Sequence, residues 1–338
     1  MSSRLALAAP DKFRGSLRAV EVADALADGA RRAGWDCRKL PLADGGEGTL
    51  EALGGANRVS VVRGPLGTPV EAGWRLDGWD AVIEAAGASG LSLAGGAPAN
   101  DPVRASTRGT GELIAAALAA GADGIVVAVG GSATTDGGLG AVEALGWEPF
   151  AVRVQVACDV RTPFLEAAAT FGPQKGATPD QVALLSERLA EIAGRYRTEL
   201  GVDVAALPGA GAAGGLAGGL AALGAELVPG FQLVAGRLGL DHALAGADIV
   251  LTGEGRLDRT SFAGKIVGEL LALCERRGIP SVVVAGEIED GVDCPSPAAS
   301  LVARYGRDRA WEDPAGCIAD ATAEALGTVT GERAATER

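Results

Sequence analysis

Ile125-Val126-Val127-Ala128-Val129 runs directly into Gly130-Gly131-Ser132-Ala133-Thr134-Thr135-Asp136-Gly137-Gly138-Leu139-Gly140. The first five residues are apolar and mostly β-branched, which predicts a buried strand. Ala141 to Leu145 then predicts the start of a helix. A strand that opens through glycines and hydroxyls into a helix presents backbone N–H groups to an anion. Gly130 and Gly131 allow close backbone approach to a ligand, and Ser132, Thr134 and Thr135 add short donors. Asp136 is a candidate to hold a metal ion or a substrate hydroxyl. A tight turn capped by Asp136 is the plainer alternative, and recurrence of the same chemistry along the chain favours a site.

That recurrence is seen at other strand ends. Leu5-Ala6-Leu7-Ala8-Ala9 predicts a first strand, ending in Pro10-Asp11-Lys12-Phe13-Arg14-Gly15-Ser16. Cys37 to Leu42 predicts a second, ending in Asp44-Gly45-Gly46-Glu47-Gly48-Thr49. Val152 to Val156 is followed by Ala157-Cys158-Asp159, and Ile249-Val250-Leu251 by Thr252-Gly253-Glu254-Gly255-Arg256-Leu257-Asp258. In open α/β sheets the carboxyl ends of strands are where ligands bind. Residues 264–278 predict a crossover helix into the strand Ser281 to Ala285, so these last strands are parallel. Between Arg58 and Gly90 the period shortens: Val59–Val62, Val70–Trp74 and Ala81–Ala86 read as an antiparallel insert. The expected division is a discontinuous α/β domain of residues 1–100 plus 245–338, with residues 101–244 inserted.

Three further stretches carry candidate ligand groups. Ser106-Thr107-Arg108-Gly109-Thr110-Gly111-Glu112 leads a helix, where hydroxyls cap and Glu112 is favourable. Arg108 is unfavourable at a helix start unless an anion lies there, which marks it as a binding residue. Phe171-Gly172-Pro173-Gln174-Lys175-Gly176 places a lysine in a glycine loop, within reach of a phosphate or simply solvated. It precedes a helix signalled by Thr178, Pro179 and Gln181. Gly209, Gly211 and Gly214 form a G-x-G-x-x-G, but no good strand precedes it and no acidic residue follows at dinucleotide-site spacing. A helix start packed tightly on a neighbour explains it equally well. There is no Walker A motif: Gly264-Lys265 is followed by Ile266.

Composition narrows the classes. The 338 residues carry a net charge of −13 and no long basic run, so small molecules rather than nucleic acid or anionic membrane are the expected partners. Glycine is abundant at 52 and aromatics are only 4%, which calls for a core of closely packed Val, Leu and Ala. The five cysteines form no CxxC pair, which fits reduced thiols in a cytoplasmic protein. The single histidine, His242, makes a Ser-His-Asp triad or a multi-histidine metal site implausible.

Taken in order, these motifs resemble the bacterial type I glycerate kinase family. The carriers are residues 9–17, Ala43–Thr49, Ser106–Ile114, Gly130–Gly140, Ala157–Val160, Phe171–Ala177, Pro208–Leu216 and Thr252–Gly255. The resemblance spans residues 5 to 325 or so. It implies two α/β domains, one with a flavodoxin-like parallel sheet and one an inserted mixed-sheet domain, with the active site in the cleft between them. It further implies ATP- and Mg²⁺-dependent phosphorylation of D-glycerate to 2-phosphoglycerate. One departure stands out: the connection from Leu145-Gly146 to Val156-Ala157-Cys158-Asp159 is shorter than the family usually carries.

Phosphoryl transfer asks the protein for positioning and charge neutralisation. The expected catalytic residues are Asp44, Asp159, Lys12 and Arg108. Asp44 or Asp159 would accept the glycerate hydroxyl proton or hold Mg²⁺, Lys12 and Lys175 would neutralise phosphate, and Arg108 would pair with the glycerate carboxylate. Gly130, Gly131, Ser132, Thr134, Lys175, Gly209, Gly211 and Glu254 are the expected cofactor contacts, with Asp136 and Asp159 as metal ligands and Asp258 in reserve. Two rivals are a nicotinamide-dependent oxidoreductase built on Gly209, Gly211 and Gly214, and a family member that binds or phosphorylates another hydroxy acid or polyol. A homodimer is left open.

Overall fold

The computed structural model describes residues 4–13, 15–262 and 264–336. It divides into two compact units, Met1–Ala43 with Val234–Arg338, and Asp44–Leu233.

In the first unit, β1 (Leu5–Ala8), β2 (Asp36–Lys39), β9 (Ile249–Leu257), β10 (Ser281–Ile288) and β11 (Ala298–Ser300) form one all-parallel sheet. Its spatial order is β11-β10-β9-β1-β2. Counted within the unit this is the flavodoxin-like 2-1-3-4-5 order, whose switch point lies between β1 and β9. Residues 6–8 of β1 are wholly buried, as expected for a central parallel strand covered on both faces. The helix Ala19–Arg32 buries Val22, Ala23, Leu26 and Ala30 against the sheet and the helix Pro314–Thr336. Gly29 makes that helix pair possible: a Cβ there would stand 2.4 Å from Ala319 O. β9 runs to Leu257, past the expected end at Leu251, because pairing with β10 continues through Leu257–Ile288.

The second unit holds a mixed sheet in simple sequential order: β3 (Arg58–Arg63), β4 (Pro69–Asp77), β5 (Asp80–Glu84), β6 (Gly124–Ala128), β7 (Arg153–Ala157) and β8 (Glu226–Val228). β3, β4 and β5 pair antiparallel, then β5 to β8 run parallel. The expected domain boundary near residue 100 is corrected here. β5 pairs along its length with β6, from Asp80↔Gly124 to Glu84↔Ala128, so the antiparallel hairpin and the central strand are one sheet. The inserted unit therefore begins at Asp44 rather than 101, and ends at Leu233 rather than 244. Ile83, Ile125, Val127 and Val156 are buried with Leu113, Ile114, Leu216 and Leu220 of the covering helices. The helix Pro179–Glu199 starts at the expected capping box: Thr178 Oγ1 accepts from Gln181 N at 3.3 Å, and Thr178 N donates to Gln181 Oε1 at 2.9 Å.

Candidate active site

In the second unit the carboxyl ends of β6, β7 and β8 meet the loop that starts at Asp44. The contacts are backbone on backbone, and glycine permits them. A Cβ on Gly130 would lie 2.5 Å from Gly46 Cα, and one on Gly230 would lie 2.0 Å from Asp44 O. Gly45, at φ +83°, touches the end of β7, where a Cβ would stand 2.8 Å from Ala157 O. Asp159 Oδ1 accepts from Gly230 N at 2.8 Å and from Phe231 N at 3.4 Å. The Asp44 main chain and the Asp159 carboxylate, far apart in sequence, thus both meet Gly230. Asp44 is half-buried, and its Oδ1 accepts from Gly46 N at 3.1 Å.

Sequence reasoning passed over one residue of this cluster. Glu84 closes β5 and its Oε1 accepts from Gly48 N at 2.6 Å and Leu50 N at 3.2 Å, fixing the far end of the Asp44 loop. Burial pushes its pKa above the usual range, against those backbone bonds. The available signal was a carboxylate at the end of the apolar run Ala81-Val82-Ile83, the position at which Asp44 and Asp159 were noticed.

The Gly130–Gly140 loop is otherwise than expected. Gly131 is exposed and Gly130 half-buried, but residues 132–138 are all buried. Asp136 Oδ2 accepts from Thr107 N (2.8 Å), Thr107 Oγ1 (2.9 Å) and Gly140 N (3.3 Å), and Oδ1 accepts from Gly138 N (3.2 Å). Four protein donors meet this carboxylate, so Asp136 joins two helix starts. Thr134 is likewise turned into the protein, its Oγ1 donating to Ala213 O at 3.4 Å. Lys175 is not solvated: it is 3% exposed, and its Nζ donates to Ser132 Oγ at 2.9 Å and Thr134 O at 2.6 Å. Burial drives its pKa down to about 7, opposed by the nearby Asp136 carboxylate.

Two other candidates are met by groups of the protein itself. Gly211 and Gly214 are filled on their Cα faces: Cβ atoms there would meet Pro163 O at 2.5 Å and Thr134 O at 2.0 Å. At Gly209, φ +84°, a Cβ would stand 3.3 Å from both Cys158 Sγ and Val160 O, a tight contact rather than an overlap. No strand leads into this segment, which is a short 3-10 turn, so the G-x-G-x-x-G is a packing device and not a dinucleotide turn. Arg108 has its anion within its own helix, since Nε donates to Glu112 Oε1 at 3.2 Å, one turn on.

In the first unit, the switch point between β1 and β9 brings Asp11 and Lys12 beside Gly253 and Glu254. Asp11 N donates to Gly253 O at 2.9 Å, and Lys12 Nζ lies 4.0 Å from Asp11 Oδ1. Glu254 is 8% exposed, and its Oε1 is buried without a hydrogen-bond partner. Burial raises its pKa to about 7, with Asp11 and Asp258 adding to the rise and Ser261 and Lys265 opposing it. A parallel sheet takes its ligands at this point, and here it offers a cation and a carboxyl that titrates near neutrality.

Comparison with known proteins decides the family. The profile of the glycerate kinase family matches residues 6–151 and 148–305. The chain belongs to the glycerate kinase family. It is 40% identical over 327 residues to a glycerate kinase of Halalkalibacterium halodurans, covering 84% of this chain and 86% of that one. It is 39% identical over 326 residues to glycerate 2-kinase of Escherichia coli K12, covering 84% and 85%. A crystal structure from Salmonella typhimurium LT2 assigned to glycerate kinase 2 superposes with a TM-score of 0.81 at 34% identity, over 98% of this chain and 100% of that one.

The two matched stretches overlap at residues 148–151, in the connection that leads into β7. The connection turns sharply through Gly146 (φ +69°) and Trp147 (φ +62°). Trp147 packs on Tyr196 with ring centroids 5.7 Å apart, and the Arg195 guanidinium lies 4.6 Å over its ring. Tyr196 in turn donates to Gly137 O at 2.9 Å, so this connection is tied back to the central loop. Among the described residues, no helix is long and apolar enough to cross a membrane.

Proposed function

We propose that the protein transfers the γ-phosphoryl group of ATP to the 2-hydroxyl of D-glycerate. The observation that supports the reading is that the loop starting at Asp44 packs its main chain on Gly230, whose N–H also holds the Asp159 carboxylate, at the strand edge where α/β sheets take ligands. The hydroxyl oxygen forms the new bond to phosphorus as the bond to the bridging oxygen of ADP breaks, and the hydroxyl proton passes to a carboxylate. Asp44 suits that role. It is half-buried, and among the described residues its carboxylate takes one hydrogen bond, at Oδ1 from Gly46 N. Asp159 is fixed more firmly, by two backbone N–H groups, and suits a stationary charge beside the phosphates.

Mg²⁺ fits this donor set. Among the described residues no three His, Cys, Asp or Glu side chains converge as a metal cage. Mg²⁺ instead takes one or two hard carboxylate oxygens and completes its shell with water and substrate phosphates. Asp159 would hold the ion, which would neutralise charge developing on the β- and γ-phosphates. Lys12 and Glu254 are assigned to the nucleotide or the acid at the β1/β9 switch point, where a lysine meets phosphate or carboxylate as a point charge. The five cysteines are all unpaired, which supports a reducing, cytoplasmic setting.

The test is ADP release with Mg²⁺-ATP and D-glycerate, beside L-glycerate, glycerol and no acceptor. Turnover dependent on D-glycerate, with 2-phosphoglycerate as the product, is expected. Turnover only with another hydroxy acid or polyol would move the substrate and point to the connection at 146–151. Release equal to the blank with every acceptor would overturn the reading.

A further inference from the structure

Lys175 is the least expected residue of the second unit, a lysine sealed in the protein rather than reaching into a site. Its ammonium touches two positions of one loop, Ser132 Oγ and Thr134 O, at 2.9 and 2.6 Å. The backbone around it is held as well. Asn100 Nδ2 donates to both Ala133 O (3.0 Å) and Lys175 O (2.9 Å), stitching three segments together. Gly176, at φ +90°, lets the segment at Ala97 close over the lysine, where a Cβ would meet Ala97 O at 2.2 Å. The loop so pinned has one open end, Gly130–Gly131, and Gly130 lies against Gly46 of the Asp44 loop.

We propose that Lys175 is a positioning residue for the nucleotide: a buried cation that fixes the Gly130–Asp136 loop from its protein side and lends its charge to phosphate held at Gly130 and Gly131. This rests on the kinase reading above. A charge in the dry interior is screened far less than one in water, so it acts through the loop without touching the ligand. The charged group that faces Lys175 is Asp136, whose own oxygens are occupied by four donors. The amine needs only two N–H groups for its two acceptors and so keeps both bonds whether charged or neutral. With its pKa near 7, it changes charge close to neutrality. An anion at the open end favours the charged form, so above neutral pH nucleotide binding draws a proton onto Lys175.

The test compares the full-length wild type with Lys175→Met, Lys175→Arg and Ser132→Ala. MgADP affinity is measured by calorimetry at about pH 6.5 and about pH 8.5, either side of the titration. Thermal melting and steady-state KM values for MgATP and D-glycerate accompany it. Lys175→Met is expected to weaken MgADP by about tenfold or more at the lower pH, with KM for D-glycerate changed less than about threefold. Lys175→Arg recovers part of the loss, and Ser132→Ala weakens MgADP by about threefold. Wild-type affinity falls between the two pH values, and that of Lys175→Met does not. MgADP affinity of Lys175→Met within about twofold of wild type, or an identical pH response in both, overturns the proposal. Should Lys175→Met fail to fold, unchanged MgADP affinity in Ser132→Ala overturns it equally. A wild type that binds MgADP without turning over D-glycerate refutes the substrate alone, and the affinity comparison still decides the role of Lys175.

Discussion

The Asp44–Thr49 and Gly130–Gly140 loops are alike in sequence, since both follow a strand and combine glycines, a hydroxyl and an aspartate. They fold to opposite ends. In the first, Asp44 stays half-buried with one backbone bond, and glycine is used to bring the loop against Gly130, Ala157 and Gly230. In the second, Asp136 is buried under four donors and Ser132 and Thr134 turn toward Lys175 and Ala213. An aspartate with its bonds complete holds a structure, and one with lone pairs to spare is available for chemistry. The glycine-rich signature marks where backbone comes close; the side-chain partners decide whether a ligand or the protein fills the space.

The sharpest way to break this contrast is to remove the buried carboxylate. Asp136→Ala leaves the N–H and hydroxyl of Thr107 and the N–H groups of Gly138 and Gly140 without their partner, and removes the negative charge that faces Lys175. Stability should fall by about 3–5 kcal/mol, measured by denaturant unfolding. Activity per folded molecule should fall far less than stability implies. A stable Asp136→Ala protein lacking activity would place Asp136 at the metal site.

Lys175 gives a pH signature. Its folded pKa of about 7 lies below the ordinary 10.5, so between these values the unfolded chain binds more protons and stability rises with pH. Glu254 acts oppositely, from 4.5 to about 7, and Cys158 and Cys274, raised from 9.0 to about 11, lower stability above pH 9. The window from about 7 to 9 therefore isolates the lysine. Melting temperatures there should climb for the wild type and stay flatter for Lys175→Met.

The smallest effect is expected at Arg108. Its pair with Glu112 is partly exposed and one helical turn long, so Arg108→Ala should cost about 0.5 kcal/mol or less. KM for D-glycerate should move less than about threefold. A rise of about a hundredfold would mark Arg108 as the carboxylate clamp.

Much of this was legible in the sequence. Parallel strands ending in glycine and carboxylate located β1, β6, β7 and β9, and position after a strand places Asp44 and Asp159 among the candidates. The domain boundary was not legible, because the antiparallel rhythm of residues 58–86 gives no sign that Asp80–Glu84 pairs with Gly124–Ala128. Nor were the partners of Asp136, Lys175 and Gly214, since each is completed by a segment distant in sequence. For Arg108 the sequence does show a nearby partner: Glu112, four residues on along the same helix, is an anion within its reach.

The central claim, that the open loop carries the chemistry, is tested most directly by single-turnover phosphoryl transfer in Asp44→Asn with MgATP and D-glycerate. The exchange keeps the shape and the bond from Gly46 N but removes the base. The account predicts a loss of about 10²–10⁴-fold in the chemical step, with MgADP affinity and melting temperature near those of the wild type. A chemical step within a few-fold of the wild type would contradict it.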